Sequence, residues 1–191
     1  MKTIVFDFDK TLTYKDTMNQ FFFWRMRGKR MMYWPLFLFW VILVKLKLMT
    51  VKRLKELSIK MLVPRKKDAM MSLFKKFSRE IKLAETIKIF NERVKEGNRV
   101  IVLSASPIYY LQEIFPNTET IGTIFEFDSN MMYCSIIAHP YGKDKYNELV
   151  KKGIVSIDEM YYDSKSDEEL FPLCKIAHKV RNGKIIKTTQ L

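Results

Sequence analysis

Cysteine and histidine are scarce in this chain, with two of each in 191 residues, and Cys134, Cys174, His139 and His178 stand at no metal-ligand spacing. That excludes a thiolate or imidazole metal cluster and a disulfide framework, and it fits unpaired thiols in a reducing compartment. None of the four is assigned a role. Glycine and proline number six each, and no flexible linker, repeat or low-complexity tract is visible. A secretory leader pattern is missing too, because the first apolar stretch is broken at once by Asp7. The expectation is a protein whose working part faces the cytoplasm. Acidic residues are lacking only locally: residues 15–82 hold 18 Lys or Arg against 4 Asp or Glu, net +14, while the remainder holds 16 against 17, net −1. The basic excess of the whole chain belongs to this one segment.

What is present starts at the N-terminus, where Ile4-Val5-Phe6 leads into Asp7-Phe8-Asp9-Lys10-Thr11. Residues two apart on a strand point to the same side, so Asp7 and Asp9 project together where a strand ends. That edge is where open α/β sheets bind ligands. Two carboxylates held side by side repel, which raises one pKa unless a cation or a shared proton belongs to the design. The pattern asks for a metal.

Three later segments repeat the layout of a strand or helix with a chemical tip. Val100-Ile101-Val102-Leu103 ends in Ser104 and continues through Ala105-Ser106-Pro107; Gly142-Lys143-Asp144-Lys145 opens an amphipathic helix; Tyr161-Tyr162 runs into Asp163-Ser164-Lys165-Ser166-Asp167. Taken singly, each has a plain reading as a cap or a solvated turn. Together, in this order over almost the whole length, they resemble the haloacid dehalogenase superfamily of phosphotransferases.

The resemblance implies a Mg2+-dependent phosphatase in which Asp7 is the nucleophile and Asp9 the general acid and base. A carboxylate that attacks phosphorus splits one slow hydrolysis into two easier steps through an aspartyl-phosphate. Thr11, Ser104 and Lys143 would hold the phosphoryl oxygens. Asp163 and Asp167, with Asp7 and the backbone carbonyl of Asp9, would supply the hard oxygen ligands that Mg2+ requires, Asp167 directly or through water. Two positions depart from the family pattern: Lys10 and Tyr162 stand where glycines are usual.

The fold expected is a three-layer, Rossmann-like α/β core with a parallel central sheet, formed by residues 1–14 and 83–191, and a helical cap, residues 15–82, inserted after the first strand. Strands are expected near Thr3–Phe8, Arg99–Leu103, Thr118–Gly122, Glu159–Tyr162 and Ala177–Val180, with an antiparallel flap over Thr123–Ala138 turning at Asp128-Ser129-Asn130. In the insertion, Thr50 reads as the cap of an amphipathic helix to Leu62, a second helix follows over Lys66–Arg79, and Pro35 either breaks a helix or sits in the first turn of one starting near Trp34.

The insertion also contains Phe21-Phe22-Phe23-Trp24, four basic residues between Arg25 and Arg30, and an unbroken apolar run from Met31 to Val44 followed by Lys45 and Lys47. Fourteen residues fall short of the ~20 needed to span a bilayer. A single crossing would also separate Asp7 and Asp9 from Ser104, Lys143 and Asp163. The segment must dip and return, lie in the interface, or be buried in a cap. Basic residues beside Trp, Tyr and Phe suit an anionic headgroup layer, so residues 20–49 are expected to meet the inner face of the cell membrane. Within the phosphoserine phosphatase-like branch the chain looks most like bacterial phosphatidylglycerophosphatases, which implies a lipid headgroup phosphate as substrate. The alternatives are a phosphatase of a soluble metabolite such as phosphoserine and, behind it, a non-enzymatic module binding nucleic acid or another anionic surface. No nucleic-acid or protein partner is expected.

Overall fold

In the computed structural model, which describes residues 1–191, the first strand, β1 (Thr3–Phe6), is buried along Ile4, Val5 and Phe6. A strand covered on both faces reads as a continuous apolar run, and so does this one. It lies between β2 (Arg99–Pro107) and β5 (Ile157–Tyr162), parallel to both. Two more parallel neighbours extend the sheet, β3 (Glu119–Phe127) beside β2 and β6 (Cys174–Arg181) beside β5. Antiparallel strands close both edges, β4 (Tyr133–Ala138) on β3 and β7 (Lys184–Gln190) on β6. The order is therefore β4-β3-β2-β1-β5-β6-β7. The chain steps from β1 to β2 on one side and to β5 on the other, which opens a crevice at the carboxyl ends of these three strands.

Alternation along the strands divides the core in two. Val5, Ile101, Leu103, Met160 and Tyr162 pack on one face with Leu149 of helix α7 (Lys143–Lys151). Ile4, Phe6, Val100, Val102 and Tyr161 pack on the other. This second core does not stop at the sheet. It runs on through Phe8, Tyr110 and Phe115 into the insertion, taking in Phe21, Phe22, Phe74 and Phe77.

The chain leaves the sheet after Leu12 and returns through an antiparallel bridge between Thr13 and Leu83, with Ala84 N–H donating to Leu12 O at 2.8 Å. Between these points lie α1 (Thr17–Arg25), a 3-10 segment (Gly28–Tyr33), α2 (Trp34–Lys45), α3 (Val51–Leu62) and α4 (Lys67–Ser78), and α5 (Ile87–Lys95) and α6 (Ile108–Ile114) flank β2 after the return. Helix α3 begins at Thr50, whose hydroxyl accepts from Arg53 N–H at 3.1 Å. Pro35 falls in the first turn of α2, where its missing N–H needs no partner. Helix α4 is fastened to the rest: Phe74 stacks on Tyr109 and touches Phe125, Phe77 meets Tyr110, Lys67 N–H donates to Met131 O, and Tyr133 N–H donates to Arg65 O. Truncating a buried phenylalanine of this kind costs about 3–5 kcal/mol.

Helix α2 behaves differently. Of its twelve residues only Phe37 is buried, whereas Leu38, Phe39 and Ile42 are each about half exposed, as are Phe23 before it and Leu46 after it. No helix is long and apolar enough to cross a membrane. At 1.5 Å per residue, α2 reaches about 18 Å. Of the expected apolar run, Met31, Met32, Pro35, Leu36, Leu38, Phe39 and Ile42 are exposed, while Tyr33, Trp34, Phe37 and Val41 pack with the core.

The flap appears as the β3–β4 hairpin, turning where Asp128 Oδ1 accepts from Asn130 and Met132 N–H, both at 2.9 Å. Strand β7 is not among the expected strands. It follows Asn182-Gly183, both at positive φ, the conformation a two-residue hairpin turn demands.

Candidate active site

At the carboxyl end of β1 the backbone turns over Phe8, whose carbonyl accepts N–H groups from Leu12 and Thr13 at 2.9 and 3.1 Å. The turn is completed by Lys10 at φ 60°, a left-handed conformation that glycine adopts freely and other residues adopt at about 1–2 kcal/mol. The lysine in place of the usual glycine thus keeps the loop geometry at the expense of backbone strain. This turn aims Asp7 and Asp9 into a cavity of about 240 Å³, which Ser104, Lys145, Asp163 and Asp167 also line. β1, β2, β5, α7 and the 3-10 segment Lys165–Leu173 each contribute at an end or a first turn.

Asp7 and Asp167 are almost fully buried, and Asp163 is half buried. One carboxylate oxygen from each can be chosen so that all three lie within 4.8 Å of one another. The amine between them belongs to Lys145, not Lys143. Lys145 Nζ donates to Asp7 Oδ1 and to Asp167 Oδ1, each at 2.6 Å. Lys143 is exposed as the first residue of α7, outside the cavity, so the expected placement is corrected: Lys145, not Lys143, stands among the carboxylates. The reason is helical register: at 100° per residue, two residues apart lie on nearly opposite faces. Thr11 is corrected as well. It is fully buried behind the loop, its hydroxyl finds no partner, and it does not line the cavity.

Charge governs this cluster. Burial pushes Asp7 well above the usual carboxylate range; Lys145 opposes the shift, while Asp167, Asp163 and Asp9 reinforce it. Burial, then the neighbouring Asp167, raises Asp163 to about 6. Burial works against the Lys145 ammonium, yet Asp7 and Asp167 together outweigh it and keep it charged. Three carboxylates against one ammonium leave a deficit of two positive charges. A divalent cation held by hard oxygens would cancel it, and the donor set of Asp7, Asp163 and Asp167 fits Mg2+ on those grounds.

Asp9 sits apart from the lysine. Its Oδ1 accepts from Thr17 N–H at 2.6 Å and from the Thr17 hydroxyl at 2.7 Å, at the first turn of α1; its Oδ2 accepts from Ser106 Oγ at 2.6 Å and Ser104 Oγ at 3.3 Å. Tyr110 OH extends the network to Thr17 at 2.9 Å. A helix N-terminus suits a carboxylate. The Ser104 hydroxyl also accepts from Ser106 N–H at 3.0 Å, which fixes its place at the β2 tip.

The insertion supplies two charged groups to the cavity, Asp16 and Lys55. Lys55 Nζ donates to Ala105 O at 2.9 Å, and burial lowers its pKa to about 8 despite Asp9 and Asp16 nearby. Asp16 caps α1 through Asn19 N–H and is raised by burial and then by Asp9. Neither Lys55 nor Asp16, Thr17, Ser106 or Lys145 is among the site residues expected from the sequence. Their spacing from Asp9 carries no pattern readable without the fold; for Lys145, the alternation of the α7 faces was the available signal.

A protein-family model described as haloacid dehalogenase-like hydrolase matches residues 4–169. A search among curated proteins gives no match. Among solved structures, the chain is similar to a Bordetella pertussis Tohama I protein (TM-score 0.73, 16% identity, 89% of this chain and 86% of that one). It is similar to a phosphoserine phosphohydrolase-like protein from Francisella tularensis (TM-score 0.63, 17% identity, 90% and 82%). It also matches a phosphoserine phosphatase solved as a phospho-aspartyl intermediate analogue (TM-score 0.58, 14% identity, 93% and 85%). At these identities the structural likeness speaks for the fold.

Proposed function

Because the chain belongs to the haloacid dehalogenase-like hydrolases, we propose that it is a Mg2+-dependent phosphatase that cleaves a phosphate monoester through an aspartyl-phosphate on Asp7, and that its substrate is a lipid headgroup phosphate presented at an anionic membrane surface. The observation that carries the catalytic part is the clustering of Asp7, Asp163 and Asp167, with Lys145 bonded to Asp7 and Asp167 and with Asp9 opening on the same cavity.

In this reading an Asp7 carboxylate oxygen attacks phosphorus as the bond to the leaving oxygen breaks. Asp9, protonated at the outset, gives that oxygen its proton and then takes one from the water that attacks the aspartyl-phosphate, releasing phosphate and restoring the Asp7 carboxylate and the Asp9 acid. Ser104 and Lys145 bind the phosphoryl oxygens, the first by a hydroxyl hydrogen bond and the second as a fixed charge. Mg2+, held by Asp7, Asp163, Asp167 and the Asp9 carbonyl, would supply the remaining positive charge. Residues 15–82 act as the cap on a core of residues 1–14 and 83–191.

The membrane part rests on α2. A helix apolar all round is expected to be buried in protein or lipid, and this one packs Trp34, Phe37 and Val41 on the protein but leaves Leu36, Leu38, Phe39 and Ile42 exposed. Arg27, Lys29 and Arg30 on one side and Lys45 and Lys47 on the other are exposed beside it. Such a belt of charge around apolar surface fits the anionic, cytoplasmic leaflet. The size of the catalytic cavity favours a second reading, a small soluble ester such as phosphoserine. Phosphate release from phosphatidylglycerophosphate in mixed micelles, measured beside phosphoserine with and without Mg2+ and with Asp7→Asn as blank, separates the two. Preference for the lipid supports the proposal, and preference for the soluble ester overturns its membrane half.

A further inference from the structure

The cavity between the carboxylates, at about 240 Å³, is smaller than the ~300–1,000 Å³ of ordinary ligand pockets. It has room for a phosphate and few further atoms, so most of the leaving alcohol must lie elsewhere. A groove of about 750 Å³ adjoins it between the start of α3, the end of β4 and helix α7, and the two share Val51 and Tyr141 as common wall. Polar and charged residues outnumber apolar ones along the groove, and its charge is divided between two walls. On α3, Lys52 lines the groove and Lys55 the catalytic cavity. Three residues apart, they share one side of the helix and are offset by about 4.5 Å along its axis. Arg53 beside them is paired with Glu56 Oε2 at 3.3 Å, but Lys52 and Lys55 make no ion pair, and the Lys55 ammonium rests on a carbonyl, Ala105 O, at 2.9 Å. Both lysines bear on His139 in the groove wall: burial, then Lys55 and Lys52, push its pKa down to about 3. The ring is therefore neutral and satisfies neither ammonium. On the α7 wall, Glu148 is tied to Lys151 at 2.8 Å, with Asp144 and Asn147 alongside.

We infer that the α3 wall of this groove binds a second phosphoryl group on the leaving alcohol, so that the enzyme selects phosphate monoesters that carry another phosphate or a phosphodiester; the inference rests on the phosphatase reading. Two ammonium groups in line, neither with a carboxylate of its own, are matched by an anion that offers several acceptor oxygens. An anion attached directly beside the reacting phosphate would meet Lys55 alone. Lys52, nearly one turn farther from the carboxylates, calls for an anion set a few bonds away. The α7 wall fixes the orientation: Asp144 repels an anion towards α3, while its carboxylate and the Asn147 amide suit hydroxyl groups of the alcohol. Thr50 and Val51, next to Lys52, also border a hollow lined by Val44, Leu48 and Met49 at the end of α2. A phosphodiester seated on Lys52 thus lies between the catalytic cavity and the exposed helix.

The test uses three water-soluble esters without lipid or detergent, so that no membrane contributes: n-propyl phosphate, propane-1,3-diol bisphosphate, and glycerophosphoglycerol phosphate, whose second phosphoryl group is a diester. A hydrogen bond to a charged group changes affinity by about 10- to 100-fold. The wild-type protein should therefore show kcat/KM at least ~10-fold higher for an ester with a second phosphoryl group than for propyl phosphate, chiefly through KM. Lys52→Met should lower that preference at least ~5-fold with an unchanged melting temperature, and Lys52→Arg should keep it within ~3-fold. Lys60→Met, exposed farther along α3, removes the same charge from the surface and should keep the full preference. Preference for the diester alone supports the subsite and assigns it to a lipid headgroup; preference for the bisphosphate alone supports it and assigns it to a soluble ester. Turnover of all three esters with one kcat/KM overturns the subsite while leaving the phosphatase reading intact, and so does a preference that survives in Lys52→Met or falls equally in Lys60→Met. No turnover of any ester overturns both.

Discussion

Two regions of this molecule break the ordinary partition of polar and apolar groups, in opposite directions. At the carboxyl edge of the sheet, Asp7, Asp167 and Lys145 are shut away from water within 2.6 Å contacts. Along α2, side chains as large as Leu38, Phe39 and Ile42 are left facing it. A buried charge is tolerated when it is paired, and the lysine does only part of that. An exposed apolar helix is tolerated when something else covers it. Under the proposed function the two regions call for different partners: a divalent cation and a phosphate in one, an apolar phase in the other.

The comparison breaks most sharply at Asp7. Asp7→Asn should lower phosphate release at least ~10⁴-fold and abolish covalent labelling by phosphate, as expected for loss of a nucleophile; retained turnover would remove the mechanism. Next comes the choice between two lysines. Lys145→Met should cost ~10²–10³ in kcat, whereas Lys143→Ala should change it less than ~3-fold; the reverse ranking would restore the expectation from sequence. On α2, the double variant Leu38→Glu/Ile42→Glu should weaken binding to phosphatidylglycerol vesicles about 100-fold while the melting temperature holds, since the residues are exposed. Phe37→Ala in the same helix should instead lower stability by about 3–5 kcal/mol.

A smaller effect concerns Lys55. Burial puts its pKa at about 8, so the ammonium is present below pH 8 and lost above it. KM for a phosphate ester should rise about fivefold between pH 8 and 9, as the charged fraction falls from about one half to about one eleventh, and Lys55→Arg should flatten the rise by keeping its charge. The smallest is Lys10→Gly, which should stabilise the protein by about 1 kcal/mol through relief of the left-handed backbone, read by denaturant unfolding.

Much of the architecture was legible because it follows from periodicity. Continuous apolar runs gave the buried parallel strands, Thr50 gave the start of α3, and the Asp128-Ser129-Asn130 cluster gave the flap. Strand β7 was not read because Lys184–Gln190 is almost wholly exposed, leaving no alternation to see, although Asn182-Gly183 is a strong hairpin signal. At the site, Asp7, Asp9, Ser104, Asp163 and Asp167 come from strand ends and the turn after β5, where short loops leave little choice of direction, and they meet around one cavity. Lys143 failed for the complementary reason. On a helix, facing depends on rotation, and only the alternation of the α7 faces, with Lys145 four residues before the buried Leu149, tells which of two lysines two residues apart turns inward.

The aromatic core that crosses from the sheet into the insertion has a consequence for how such a chain can be altered. Phe8, Tyr110 and Phe125 owe their burial in part to Phe21, Phe74 and Phe77. Excising residues 15–82, or exchanging them for a foreign segment, would strip one face of the sheet along with the roof. The insertion is therefore not a detachable module. Any change of specificity compatible with folding has to come from residues on its outer and cavity-facing sides, with that shared aromatic layer kept intact.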